Sequence, residues 1–302
     1  MSLNILITGG AGFIGSRIKE KLLKKGYTVL SIGRNKKEDK IVDLLDCKSL
    51  SEAIKGFKPD IICHFASGSN ISIAEANKEK EFKNVVLATN NLIECLKSVH
   101  GNKMKFIYLS SQAVYGVPRY LPVDETHQLI PLTFYGEVKI AVEDLIKVCG
   151  IDYIILRVSS AYGEGQDYQK SGAIAKFLNK MKQGKAPVIF NSQVVVCDFI
   201  YVDDVISAVM KAIENHDIKN EIFNVGSSKP IKLVEVLDIL YKYFPYAPKP
   251  LTEQNALYPL SANTGLYLDI KKIKNKLGWE CEYNIEKGLQ QLLGKYNKAL
   301  KN

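Results

Sequence analysis

Arginine is scarce in this chain. Of its 41 basic residues only Arg17, Arg34, Arg119 and Arg157 are arginines, and the remainder are lysines spread along its length. Specific recognition of phosphates and bases favours the arginine fork. The net charge of +9 therefore describes a solvated lysine surface better than a nucleic-acid groove, and no nucleic-acid partner is expected. No run approaches the roughly 18 consecutive apolar residues of a membrane span, and no basic segment precedes the first apolar run as a secretory signal requires. The six cysteines (Cys47, Cys63, Cys95, Cys149, Cys197, Cys281) include no C-x-x-C pair, and the four histidines do not cluster with them. That pattern argues against a disulfide frame or a metal site and fits the reduced thiols of a cytoplasmic protein.

What is present is an average globular composition: 302 residues, 46% hydrophobic and 24% charged. At about 150 residues per domain the length suits two domains. Strand and helix patterns alternate over the first half. Leu3–Thr8, Thr28–Ile32, Asp60–His64, Phe106–Ser110 and Tyr153–Val158 read as strands. Ile14, Ile18 and Leu22, the segment Val85–Val99, and Val138, Val142 and Leu145 carry helical spacing. Such alternation predicts an α/β fold, a Rossmann-type doubly wound parallel sheet with a smaller C-terminal α/β substrate lobe. Residues 1–164 with about 193–228 are expected in the dinucleotide-binding domain. About 165–192 with 229–302 are expected in the lobe. Asp203 reads as the N-cap of a helix running through Ile213.

Gly9, Gly12 and Gly15 in ITGGAGFIG follow a strand and open a helix, the context that separates a dinucleotide fingerprint from an ordinary βα turn. Phe13 and Ile14 lie in the same turn. The acidic residue that holds the ribose 2′-hydroxyl of NAD is expected roughly 20 residues further on. Gly33 stands there, followed by Arg34, Lys36 and Lys37. An arginine suits a 2′-phosphate, so NADP(H) is the favoured cofactor and NAD(H) the alternative. Asp43, with Leu44 beside it, stands where a carboxylate can accept the adenine amino group. A helix N-cap is the competing reading.

Tyr135 and Lys139 in YGEVK share one helix face. A tyrosine has a reference pKa of about 10, and a nearby ammonium and an oxidised nicotinamide both favour its phenolate. That suits general acid–base work. Upstream, LSSQAVYG places Ser111 at a strand end, where a hydroxyl can hold a reacting oxygen. A lone Y-x-x-x-K is also an ordinary exposed helical pair and gains weight only in combination. His64 and Trp279 read as packing residues, and His127 falls in a loop.

ITGGAGFIG, HFAS, LSSQAVYG, YGEVK, LRVSSAYG, DFIYVDDV, FNVG and LGW follow one another from Leu3 to about Leu293. With these motifs the chain resembles the extended short-chain dehydrogenases/reductases, and within them the group of nucleotide-sugar epimerases, dehydratases and reductases. The resemblance implies that Tyr135 is the catalytic acid–base. It implies that Lys139 binds the nicotinamide ribose and that Ser111 holds the reacting oxygen. Gly9, Gly12 and Gly15 would cradle the pyrophosphate, and Ala66 and Ser67 would form the turn beside the cofactor. Gln112, Ser160 and Tyr162 would meet a nucleotide-sugar substrate, and Asp203 and Asp204 would brace the C-terminal lobe. A homodimer through Val85–Val99 and Tyr135–Cys149 is also implied.

Departures from the family pattern narrow the reaction. The Asp-Glu pair with which the dehydratases eliminate water is Gln112-Ala113, which has no acid–base capacity. The cysteine that GDP-fucose synthase carries two residues after its serine is Ala113. An arginine usual before D-F-I-x-V-D-D is Cys197, and the second, usual before the L-D-I strand, is missing from Leu251–Tyr267. The usual asparagine of R-x-x-N-x-Y-G is Ser160. Lys176, Lys180 or Lys185 are the candidates to take over the phosphate contacts. The expected activity is an NADP(H)-dependent nucleotide-sugar reductase acting at a keto carbon, C4 by the resemblance. The alternative is a nucleotide-sugar 4-epimerase with retained NAD⁺. A non-catalytic dinucleotide sensor or RNA-binding relative is the alternative of another class, and intact Ser111, Tyr135 and Lys139 argue against it.

Overall fold

A computed structural model describes residues 3–66, 68, 71–167, 172–190, 196–253 and 265–299. Ser67 and the stretch 254–264, where the second phosphate arginine is sought, lie outside the described residues. In chain order the elements begin with β1 (Asn4–Thr8), α1 (Phe13–Lys24), β2 (Thr28–Gly33), β3 (Lys40–Ile41), α2 (Cys47–Ile54) and β4 (Ile61–His64). Next come α3 (Ile71–Ala76), α4 (Lys78–Phe82), a π-turn at Lys83–Leu87, α5 (Ala88–His100), β5 (Lys105–Ser111), α6 (Phe134–Val148) and β6 (Asp152–Val158). Then follow β7 (Ser160–Tyr162), α7 (Ala173–Lys182), β8 (Val188–Phe190), β9 (Val196–Cys197), β10 (Phe199–Tyr201), α8 (Val202–Glu214) and β11 (Glu221–Val225). The chain closes with β12 (Ile231–Lys232), α9 (Leu233–Tyr241), β13 (Leu251–Glu253), α10 (Lys271–Leu277) and α11 (Ile285–Ala299).

A seven-stranded sheet runs in the order β11-β6-β5-β4-β1-β2-β3. β1 pairs in parallel with both β2 and β4, and β4 with β5. Ile5, Leu6 and Ile7 of β1 and Ile62 and Cys63 of β4 are fully buried. Such unbroken apolar strands are covered on both faces, as parallel α/β sheets require. The strand order reverses between β1 and β4, and ligands of open α/β sheets bind outside the strand ends at that switch point. The turn after β1 and the ends of β2, β4 and β5 all lie at that edge of the sheet.

The chain divides into two compact units. The first comprises Met1–Val114, Thr133–Arg157 and Ile206–Phe223; the second comprises Tyr115–Leu132, Val158–Val205 and Asn224–Asn302. The first holds the core on which Leu6, Ile32, Leu92, Phe106, Val142 and Ile155 converge. Among the described residues the second carries three two-stranded pairings: β7 with β10, β8 with β13, and β9 with β12.

Two expectations change. The helix at Val202–Glu214 already contains Asp203 in its first turn, so Asp203 is not its cap. The helical segment expected at Val85–Val99 opens as a π-turn, a rare irregularity frequent at functional sites. Among the described residues no helix is long and apolar enough to cross a membrane. No group of metal-ligating side chains gathers among them either.

Candidate active site

The glycine-rich turn is shaped by contacts that leave no room for side chains. Gly9 has φ +72°, and a Cβ on it would come within 2.8 Å of the Ala66 nitrogen. A Cβ on Gly15 would run into the Gly9 carbonyl oxygen. Gly12 differs: it is exposed, and a Cβ there meets only that carbonyl, at 3.2 Å. It is the N-cap of α1 and no side chain caps it. The N–H groups of Phe13, Ile14 and the rest of the first turn are thus without a capping side chain, as an anion site at a helix N-terminus requires. The turn therefore fits a dinucleotide pyrophosphate.

The end of β2 holds two surprises. Arg34 is exposed, and its Nη1 donates to Asn84 Oδ1 at 3.0 Å in the π-turn. Glu38, which sequence spacing did not single out, is only 8% exposed. Its Oε1 accepts the Ala11 N–H at 2.7 Å, inside the glycine-rich turn. Asp43 accepts the Leu45 N–H at 3.0 Å, while the cap of α2 is Asp46, which accepts from Lys48 and Ser49. The N-cap reading of Asp43 is thereby corrected. Leu44 is buried in the core.

At the neighbouring strand end, a directed hydrogen-bond chain ties the site together. Thr89 Oγ1 donates to the Val85 carbonyl at 2.6 Å, so it accepts from His64 Nε2 at 2.8 Å. The other ring nitrogen, Nδ1, then accepts from Thr8 Oγ1 at 2.7 Å. Thr8 Oγ1 in turn accepts the Ala66 N–H at 3.2 Å. This fixes His64 as the neutral Nε2–H tautomer, and burial pushes its pKa down to about 3, with the Lys139 charge adding to the shift. His64 therefore orders the turn at Ala66 rather than taking part in chemistry.

β5 and α6 carry the reactive side chains. Thr133 caps α6 by accepting the Gly136 N–H at 3.3 Å, which fixes the first turn where Tyr135 sits. Ser111 ends β5, accepts the Ala113 N–H at 3.2 Å, and hydrogen-bonds the Tyr135 hydroxyl. One turn along α6, Lys139 is 3% exposed and donates from Nζ to the Leu109 carbonyl at 3.0 Å. That Nζ lies 5.1 Å from the centroid of the Tyr108 ring and 5.5 Å from that of the Tyr135 ring. The three residues expected from the sequence are thus brought together. Burial pushes the Tyr135 phenol up to about 12, which the Ser111 hydrogen bond opposes and the Glu81 charge reinforces. Burial pushes Lys139 down to about 7, against the pull of Glu81 and Glu143.

Those two carboxylates have different duties. Glu143 is fully buried and engaged by Arg157, at 3.1 Å from Nε and 2.7 Å from Nη2, and by the Ser110 hydroxyl at 2.5 Å. Ser110 is thereby committed to the ion pair and Ser111 to the site. Glu81 is a second residue that sequence reasoning missed. Its carboxylate packs against Gly68, in the turn after β4, so closely that a Cβ there would overlap it. Burial raises its pKa while the Lys139 ammonium lowers it. It is the counter-charge that helps keep the buried lysine protonated.

The other expected positions lie in the second unit, except Gln112, which opens a short 3₁₀ turn directly after Ser111. Ser160 starts β7 and its N–H donates to the Asp198 carbonyl at 3.0 Å. Tyr162, expected at the substrate, is 2% exposed, and its hydroxyl donates to the Ile285 carbonyl at 3.4 Å. Asp204 accepts from the Cys281 thiol and from the Glu282 and Tyr283 N–H groups; this is the bracing expected of it. His127 accepts the Arg119 N–H at 2.9 Å and pairs with the Gln128 carbonyl at 2.8 Å, so it pins its loop.

A dinucleotide-shaped glycine turn at the switch point of a Rossmann sheet, beside a Ser-Tyr-Lys cluster, defines an oxidoreductase of the extended short-chain dehydrogenase type. A profile of the NAD dependent epimerase/dehydratase family matches residues 5–226, and the chain belongs to that family. Across 96% of its length it is 35% identical to a putative UDP-glucose 4-epimerase of Methanocaldococcus jannaschii, covering 97% of that protein. The fold superposes on UDP-glucose 4-epimerase from Thermotoga maritima, solved with UDP-glucose, at TM-score 0.90 and 28% identity, covering 99% of this chain and 100% of that one. It also matches UDP-glucuronic acid 4-epimerase from Bacillus cereus, solved with UDP-glucuronic acid and NAD, at TM-score 0.86 and 26% identity, with 99% and 100% covered.

Proposed function

We propose that the protein is an NAD⁺-dependent nucleotide-sugar 4-epimerase acting on a UDP-hexose. The observation that carries this reading is the end-to-end similarity to 4-epimerases, joined to an intact Ser111–Tyr135–Lys139 cluster. It reverses the order expected from Arg34. In the structure Arg34 turns to Asn84, so the residue that favoured a reductase has a structural partner.

NAD⁺, held at the glycine-rich turn of Gly9, Gly12 and Gly15, would supply a reversible hydride acceptor for the sugar C4 and a positive ring charge that favours ionisation of a neighbouring phenol. The chain's own groups do the rest. Ser111 holds the C4 oxygen through its hydroxyl. Tyr135 takes the hydroxyl proton as C4 becomes a ketone and returns it when C4 is reduced from its other face. Lys139 holds its charge within 5.5 Å of the Tyr135 ring and stabilises the phenolate. Gln112 and Ala113 offer no acid or base, so water is not eliminated.

The second reading is an NADP(H)-dependent 4-ketoreductase, favoured by the Gly33-Arg34 pair. Denaturing the purified protein and weighing the released dinucleotide separates the two. Stoichiometric NAD⁺ is expected. Protein isolated empty and stabilised by NADPH far more than by NADH would establish the reductase instead.

A further inference from the structure

We propose that Glu38 is the residue that selects NAD⁺ over NADP⁺, delivering from the β2–β3 loop the carboxylate that the end of β2 lacks. The inference deepens the proposed use of NAD⁺ and rests on that reading.

The geometry is one of substitution in space. Gly33 stands where the strand would carry an acidic side chain. A Cβ on Gly33 would lie 3.2 Å from Glu38 Oε1 and 3.4 Å from its Cγ. The Glu38 carboxyl group thus fills the volume that a side chain at Gly33 would occupy. From there it reaches the glycine-rich turn. Oε1 accepts the Ala11 N–H at 2.7 Å, and Oε2 lies 2.9 Å from where a Cβ on Gly10 would be. Glycine at both positions leaves space for this carboxylate.

One oxygen is left over. Glu38 Oε2 is buried and has no hydrogen-bond partner, a costly state for a carboxylate oxygen. The adjacent acid does not compete for the role. Asp39 is held by Lys19 Nζ at 2.6 Å and by the Ser31 N–H at 2.8 Å. A ribose hydroxyl is a donor and satisfies Oε2. A 2′-phosphate is an anion with acceptors only, and it meets a like charge. The exposed Arg34 guanidinium gives one Nη1 donor to Asn84 at 3.0 Å, and selection by charge is assigned to Glu38.

The test is dinucleotide affinity, measured by titration calorimetry on the cofactor-stripped full chain with NAD⁺ and NADP⁺ separately. Wild type is expected to bind NAD⁺ more tightly. Glu38→Gln should weaken NAD⁺ by about tenfold to a hundredfold, the worth of a hydrogen bond to a charged group, with NADP⁺ unchanged or improved. Arg34→Ala should keep the preference for NAD⁺. Should the loop fail to fold without Glu38, Gly33→Asp combined with Glu38→Ser moves the carboxylate back to the strand and should restore the preference. A wild-type NAD⁺/NADP⁺ ratio in Glu38→Gln, or a preference for NADP⁺ in wild type, overturns the assignment. A protein that epimerises sugar yet keeps its ratio in Glu38→Gln loses this inference alone. One that binds NAD⁺ through Glu38 but interconverts no sugar loses only the epimerase reading.

Discussion

Acid should destabilise the first unit through a single buried imidazole. His64 is fully buried and locked between Thr8 and Thr89 as the neutral tautomer. A second ring proton would point Nδ1–H at a hydroxyl that is already donating to it. Burial, with the Lys139 charge, holds its pKa at about 3, against about 6.5 in the unfolded chain. The folded value is depressed, so the unfolded state binds the proton more readily. The contribution to stability is whole above pH 6.5 and is lost as the pH falls from 6.5 toward 3. The slope is about 1.4 kcal/mol per pH unit, which gives about 2 kcal/mol between pH 7.5 and 5. Carboxylates titrate as well, so the comparison is with His64→Gln, which cannot take a proton. Urea unfolding followed by circular dichroism at pH 7.5 and 5.0 should show wild type losing about 2 kcal/mol more than the variant. Equal losses in the two proteins would refute the assignment of His64 as a neutral hydrogen-bond link.

Two further outcomes follow from the same core. Arg157→Met should cost about 3–5 kcal/mol, the scale for removing one partner of a buried ion pair, because Glu143 then keeps only the Ser110 hydroxyl and the more distant Lys147 and Lys139 charges; adding Glu143→Leu should return most of that, as read by thermal melts. Tyr135→Phe should lower turnover by about 10²–10⁴ while leaving dinucleotide affinity near wild type, measured by steady-state kinetics and calorimetry on one preparation.

Much of the scaffold was legible because its signals are local. The glycine turn, the apolar strands and the Tyr135–Lys139 spacing each depend on neighbours within a few residues. Ser111, Tyr135 and Lys139 therefore fell together as expected. Short helices such as Lys78–Phe82 carry too few turns to show a period, and they passed unseen. Glu38 and Glu81 were missed for a different reason. Each acts at a place set by another segment: Glu38 at the side-chain space of Gly33, and Glu81 against Gly68. No spacing rule marks a carboxylate that fills a neighbour's vacant side chain. Arg34 shows the complementary limit. Its position in the sequence suits a 2′-phosphate, but its side chain pairs with Asn84. The sequence does carry one signal: in the loop GRNKKED, Glu38 and Asp39 follow Arg34 by four and five residues.

The most direct test of the central claim is to incubate the purified protein with UDP-galactose, with no dinucleotide added, and follow the sugar by proton NMR. A retained-NAD⁺ 4-epimerase should produce UDP-glucose up to a fixed ratio of the two C4 epimers, with total UDP-hexose constant. Absence of interconversion, together with NADPH-dependent reduction of a nucleotide-linked 4-keto sugar, would contradict it.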